Sequence, residues 1–239
     1  MEIGVLLCGD VALSLRAEFG SYADCLKKRL NLYSYGEVTV WDVYQKNQVP
    51  ENIDACDVYI IGGSPASVND NTEWITVLIK FIQRAFTHGK KMVGICFGHQ
   101  AIHHALGGVV NRSNKGWGIG AYQVPFLQNF ENKKKGDLLS LLAIHQDQVI
   151  KPVKGFKVIA GNTFCPNYFT LFEQQVLTIQ GHPEFSFSFL ESMLALRQDI
   201  LSASNGNIFS QPGNSVVDSD YCNEVIQQFI VENRTNINE

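Results

Sequence analysis

Two runs in the first half of the chain, "DVYIIGG" (Asp57–Gly63) and "KMVGI" (Lys91–Ile95), carry a charge only at their first residue. A strand with one wet face alternates apolar and polar residues, so a strand apolar on both faces must be covered on both. Between the two runs lies "TEWITVLIKFIQRAF" (Thr72–Phe86), apolar at helical spacing, with acceptors Asp70 and Asn71 before it and Gly89 after it. Strand, helix, strand in that order predicts parallel pairing with the helix as crossover. "IGVLLC" (Ile3–Cys8) and "EVTVWDV" (Glu37–Val43) read as two more strands. Between them, Leu15, Phe19, Tyr22, Leu26 and Leu30 predict one helix from Leu13 to Leu30. The fold class expected is α/β, with a mostly parallel central sheet.

The second half is richer in short strands, at Gly118–Val124, Leu141–His145, Lys157–Gly161, Tyr168–Phe172 and Val176–Gln180. Helices are expected at Phe187–Ser202 and Tyr221–Glu232, flanking a polar Asn/Gly/Ser stretch from Ser204 to Asp218. No linker is long enough to separate two units and no repeat is evident, so residues 1–239 read as a single domain. A net charge of -4 gives no electrostatic case for nucleic acid or an acidic membrane as partner. The cationic run Lys133–Lys135 lies in a polar segment and reads as a solvated loop. Six cysteines without CxxC spacing suggest reduced thiols rather than a disulfide or zinc scaffold. "MEIGVLLCGD" reads as a first strand and turn rather than a secretory signal, and no apolar run approaches ~20 residues. The expectation is a soluble, cytoplasmic protein, in which the sequons at Asn111 and Asn233 mean little.

"KKMVGICFGHQAIHHALGG" (Lys90–Gly108) runs a buried strand straight into Cys96 and then into a helical pattern. G-I-C-F-G has the shape of a nucleophile elbow with cysteine in the serine position. A helix N-terminus favours thiolate over thiol and offers the N–H of Phe97 to an oxyanion. By itself the motif more often marks a buried cysteine at a tight turn. A nucleophile needs a base, and the base an orienter. "IQGHPEF" (Ile179–Phe185) supplies His182, pushed toward an extended conformation by Pro183, and Glu184 two residues on, on the same side of an extended stretch. "IIGGSPASV" (Ile60–Val68) is a glycine-rich loop after a core strand, with Gly63 a candidate second oxyanion donor; it lacks the Gly-Lys-Ser/Thr ending of a phosphate loop. His145 and Asp147 in "AIHQDQV" form a second histidine–carboxylate pair that could serve Cys96 instead, or anchor a loop. Cys96, His99 and His103 have metal-compatible spacing, but Gln100 stands where H-E-x-x-H needs an acid, and no metal is expected.

Taken together, "GICFGHQ", a later "GHPE" and an upstream "GGSP" resemble the class I glutamine amidotransferases. The resemblance implies a flavodoxin-like three-layer α/β/α sandwich. It implies Cys96 as nucleophile, His182 as base, Glu184 as its orienter, and Gly63 and Phe97 as oxyanion donors. Gln100 would contact bound glutamine, with the His145–Asp147 segment nearby as a pocket element. "GGSPASVND" and "GWGIG" (Gly116–Gly120) are most similar to the stand-alone, GMP-synthetase-like branch that includes the plant γ-glutamyl peptidases. Two positions depart from that branch: Ser67 and Gly118 stand where relatives usually carry acids. The implied chemistry is hydrolysis of glutamine or a γ-glutamyl amide through a γ-glutamyl thioester, with no cofactor. The alternatives are a glutaminase subunit feeding ammonia to a separate synthetase chain, and a non-catalytic relative of the fold.

Overall fold

The computed structural model describes residues 1–203 and 216–232. In chain order the first half contains β1 (Glu2–Leu7), α1 (Arg16–Phe19), α2 (Tyr22–Arg29), β2 (Glu37–Asp42), α3 (Val43–Lys46), β3 (Val58–Ile61), α4 (Glu73–Thr87), β4 (Lys91–Ile95) and α5 (Phe97–Ala105). Five of the strands that follow are short, β5 (Val109–Arg112), β8 (Asp147–Lys151), β9 (Lys157–Ala160), β10 (Phe169–Phe172) and β11 (Val176–Ile179), while β6 (Gly118–Pro125) and β7 (Leu138–His145) are the long pair. The chain then forms α6 (Phe187–Ala195), α7 (Gln198–Ala203) and α8 (Ser219–Val231).

The main sheet has seven strands in the order β2-β1-β3-β4-β11-β10-β9. Its pairs from β2 to β11 are parallel, and β10 runs antiparallel to both of its neighbours. This is the α/β architecture expected, for the reason expected: Val58, Tyr59, Ile60 and Ile61 are all 0% exposed, so both sheet faces are covered. Ile3, Val5, Ile60 and Val93 point into one core, shared with α2, α6, α8 and the β6–β7 hairpin. Leu6, Tyr59, Ile61 and Met92 point into the other, against α4 and α5. On α4, Ile75, Leu78, Phe81 and Ile82 recur at helical spacing and are buried, each worth about 1.5–3 kcal/mol.

The helix expected from Leu13 to Leu30 is broken. A 3₁₀ turn (Leu13–Leu15) and α1 stop at Gly20, whose φ of 77° lies in the left-handed region open to glycine. α2 then restarts under a capping box: the Ser21 hydroxyl accepts the Asp24 N–H, and the Asp24 carboxylate accepts the Ser21 N–H. The restart makes Tyr22 the first residue of α2. The tail helix expected over Phe187–Ser202 is also two pieces, α6 and α7, separated where Arg197 pairs with Asp199 in the first turn of α7. Of the polar stretch from Ser204, residues 204–215 lie outside the described residues, as does the Asn233 sequon. Asp218, at the head of α8, accepts the Ser140 N–H and pairs with Lys133, which also sits over the Tyr221 ring; that cationic residue is docked rather than solvated. At α4 the expected acceptors serve elsewhere: the Asp70 carboxylate takes the Ser67 N–H, and Thr72 precedes the helix without a side-chain cap. Among the described residues, no helix is long and apolar enough to cross a membrane.

Candidate active site

Most loops that line the cavity leave the carboxyl end of a main-sheet strand or the rim of a small sheet beside it, and Leu196 and Arg197, between α6 and α7, close another side. Gly9–Ala12 follow β1, Gly63–Ser67 follow β3, Cys96 follows β4 and His182 follows β11. Ligands of doubly wound sheets gather at this edge. The cavity measures about 440 Å³.

Cys96 sits at φ 53° and ψ -103°, a conformation that costs a non-glycine residue about 1–3 kcal/mol. The surroundings over-determine it. Its N–H donates to the Ile179 carbonyl (2.8 Å), and the Gly98 N–H donates to the Gly62 carbonyl (3.1 Å). A Cβ on Gly98 would lie 2.0 Å from the Ile61 carbonyl oxygen, and one on Gly94 would lie 2.7 Å from the Gly98 carbonyl oxygen. The flanking glycines therefore let α5 press directly against the sheet. As the first residue of α5, Phe97 carries an N–H with no partner inside the helix.

His182 is extended, its N–H donating to the Leu142 carbonyl in an isolated bridge (2.8 Å). The chain does not stay extended. Pro183 and Glu184 fold into a turn, closed by the Phe185 N–H on the His182 carbonyl (3.4 Å). This turn, rather than an extended i, i+2 pair, swings Glu184 onto the ring. Nδ1 donates to Glu184 Oε1 at 2.6 Å, with both residues nearly fully buried. The Cys96 side chain lies close enough to the imidazole to bear on its charge. It stacks on Phe185, ring centroids 3.9 Å apart and planes within 7°. Burial alone would push the His182 pKa down. The nearby Glu184 charge first, with Cys96 and the hydrogen bond to Glu184, outweighs it and raises the pKa to about 10.

The second pair is assembled differently. His145 Nδ1 faces the Asp147 backbone carbonyl (3.3 Å), and Nε2 pairs with the Tyr122 hydroxyl (2.9 Å). The Asp147 carboxylate turns away, toward the Ser67 hydroxyl and Arg112 Nε (3.7 Å), its cross-strand partner. Burial, unopposed by a carboxylate, lowers the His145 pKa to about 3. Both residues line the cavity with Cys96 and His182, as does Gln100, whose amide donates to the Asp147 carbonyl (2.8 Å) and to Gln180 Oε1 (3.2 Å). Gln180 in turn directs its amide at Cys96 Sγ (3.6 Å).

The two departures have local reasons. Ser67 hydrogen-bonds Asp147, where a second carboxylate would meet like charge. A Cβ on Gly118 would lie 2.8 Å from Phe164 Cε1 and 3.3 Å from His145 Nε2, so an acidic side chain there has no room. His99 and His103 are tied by their ring nitrogens to Thr178 (2.7 Å) and Thr170 (2.9 Å), under α5 and away from the cavity. Among the described residues, no three His, Cys, Asp or Glu side chains are grouped to hold a metal ion.

Three residues at the site were not read from the sequence. Gln180 could have been, as the polar end of a core strand. Arg112 and Tyr22 could not, because each reaches the cavity only through tertiary packing. Tyr22 donates to Glu184 Oε1 (2.7 Å) and accepts the Gly63 N–H (2.9 Å), so that N–H is already engaged.

Residues 18–196 match the family "Glutamine amidotransferase class-I", and the chain belongs to it. A glutamine amidotransferase-like protein of Schizosaccharomyces pombe is 26% identical over 246 residues, covering 97% of this chain and 99% of its own. Gamma-glutamyl peptidase 2 of Arabidopsis thaliana is 31% identical over 156 residues, covering 61% of this chain and 62% of its own. The crystal structure of a glutamine amidotransferase from Methylobacillus flagellatus superposes with a TM-score of 0.69 at 18% identity, covering 96% of this chain and 90% of that one. That likeness concerns the fold.

Proposed function

We propose that the chain is a cysteine-dependent amidase that hydrolyses glutamine or γ-glutamyl amides, acting as one domain over residues 1–239. Cys96, as thiolate, attacks the substrate's γ-carbonyl carbon and forms a tetrahedral oxyanion. The N–H of Phe97 stabilises that oxyanion, a contribution of roughly 10²–10³ in rate, while the Gly63 N–H is held by the Tyr22 hydroxyl. Collapse breaks the C–N bond, His182 delivers its proton to the leaving nitrogen, and a γ-glutamyl thioester remains. Water, losing a proton to His182, then attacks the thioester; glutamate leaves and the thiolate returns. Glu184 holds the ring and its positive charge throughout. Gln100 and the His145–Asp147 segment contact the γ-glutamyl part.

The observation that supports this most directly is the continuous contact from Cys96 through His182 to Glu184 in a buried site. The relatives' names, glutamine amidotransferase-like protein and gamma-glutamyl peptidase, agree with the substrate class. The cavity of about 440 Å³ falls within the roughly 300–1,000 Å³ of drug-sized sites, with room for a group beyond the γ-glutamyl unit. That favours a γ-glutamyl peptide over free glutamine and an autonomous hydrolase over a subunit that feeds a separate synthetase.

The test is glutamate release by the purified chain from glutamine and from γ-glutamyl dipeptides. Cys96→Ala abolishes release while leaving the circular dichroism spectrum unchanged. Wild-type turnover by that variant would refute the mechanism.

A further inference from the structure

We propose that Tyr22 is a positioning residue for this reaction, its hydroxyl holding the Glu184 carboxylate and the Gly63 amide in one register. The inference rests on the roles given above to Cys96, His182 and Glu184. It begins with an asymmetry at the acid. Glu184 Oε1 receives two hydrogen bonds, from His182 Nδ1 (2.6 Å) and from the Tyr22 hydroxyl (2.7 Å), while buried Oε2 has no partner. Two donors on one oxygen fix the rotation of the carboxylate, and so fix the oxygen that the imidazole meets.

The phenol's own orientation is settled by its neighbours. Gly63 N–H is a donor only, so the hydroxyl must accept from it (2.9 Å) and turn its single proton to the carboxylate. Burial first, and then the nearby Glu184 charge, raise the Tyr22 pKa well above its ordinary value, so the phenol stays a donor across the working pH range. One hydroxyl thus joins the glycine loop to the acid of the triad. The coupling is steric as well: a Cβ on Gly63 would lie 3.0 Å from His182 Cε1 and 3.1 Å from Tyr22 Oη, so the loop backbone passes against both rings.

Tyr22 is itself held in place. Its backbone N–H donates to Asp10 Oδ1 (2.7 Å), and Asp10 Oδ2 accepts from Arg16 (2.6 Å). Its ring meets Phe185 edge-on, centroids 6.4 Å apart, and Phe185 stacks on His182. The Tyr22 hydroxyl makes and breaks no bond to substrate. What it contributes is the position of the groups that do.

The test is Tyr22→Phe in the full chain, assayed on a γ-glutamyl dipeptide. We expect kcat to fall about 10–100-fold, the scale of a small misplacement of reacting groups, with KM within about threefold of wild type. The downfield proton resonance of His182 Nδ1–H should shift. In a Glu184→Gln background the same substitution should cost far less, because its effect passes through that carboxylate. Wild-type kcat with an unmoved resonance, or effects that multiply independently, would overturn the proposal. If Tyr22→Phe fails to fold, site-specific 3-fluorotyrosine at position 22 retains both hydrogen bonds and is a stronger donor. By drawing charge from Glu184 it lowers the His182 pKa and moves the alkaline limb of kcat to lower pH; an unmoved limb overturns the proposal. Wild-type protein without amidase activity would fail the reading of the site itself, whereas active wild type with an indifferent position 22 fails only this inference.

Discussion

His182–Glu184 and His145–Asp147 have the same spacing, both follow strands and both face one cavity, yet their imidazoles lie at opposite extremes. The first titrates near pH 10 and the second near 3. Burial lowers the pKa of both rings; only the first has a carboxylate against Nδ1 to reverse it. The cause is the backbone after each histidine. Pro183 and Glu184 turn back over His182, whereas Asp147 begins β8 and its side chain projects across to Arg112. A histidine–carboxylate spacing is therefore no measure of a catalytic pair. The turn that follows the histidine decides whether the carboxylate reaches it.

The contrast is broken most directly by removing each ring. His182→Asn should lower kcat by about 10⁴-fold, as loss of a triad base does, whereas His145→Asn should mainly raise KM. Equal losses in kcat, measured under saturating substrate, would erase the distinction.

Next in size is the acid. Glu184→Gln should cost about 10²–10³ in kcat, because the amide leaves the imidazole without its charge and without a fixed tautomer. The alkaline limb should move down from about 10 toward the ordinary histidine value near 6.5. Asp147→Asn should leave the limb in place. A pH–rate profile of both variants separates the pairs.

Stability against pH should show the two signs. His182 has its pKa raised on folding, so its contribution is present below about 6.5 and fades as pH rises through about 10. His145 has its pKa lowered, so the unfolded chain binds more protons and stability falls as pH drops from about 6.5 to 3. Buried His103, lowered to about 4, adds to the same acid limb. Denaturant titrations of His145→Gln should show a shallower slope between pH 4 and 6, a range set by these values; an unchanged slope would mean that His145 is protonated in the folded state.

The smallest effect belongs to the wall behind His145. Gly118→Ala should cost about 1 kcal/mol, since Phe164 must give way to the added methyl, and it should raise KM a few-fold without moving the pH profile. Thermal unfolding and initial rates check both.

What could be read in advance is uneven for physical reasons. β4 was expected at Lys91–Ile95 and occurs there, because a run apolar on both parities has one way to be buried. Gly94 and Gly98 announced the close approach of α5, since only glycine permits it. The break at Gly20 was also present in the letters, as S-Y-A-D after a glycine, but the apolar spacing on either side favoured one continuous helix. β5 and β8 carry no clear signal in the sequence, because each is four or five residues long and half exposed, too little pattern to distinguish from loop.

By itself, the sequence determined which strands had to be covered on both faces, and so that Cys96, Gly63 and His182 would emerge at one edge of a parallel sheet. Burial and backbone sterics are local properties of residue type, and they act before any long-range contact forms. Only the tertiary structure decided which carboxylate meets which imidazole, and that a tyrosine 162 positions away from Glu184 closes the network. Hydrogen bonds of that kind depend on a few tenths of an ångström between distant segments, which no pattern along the chain encodes.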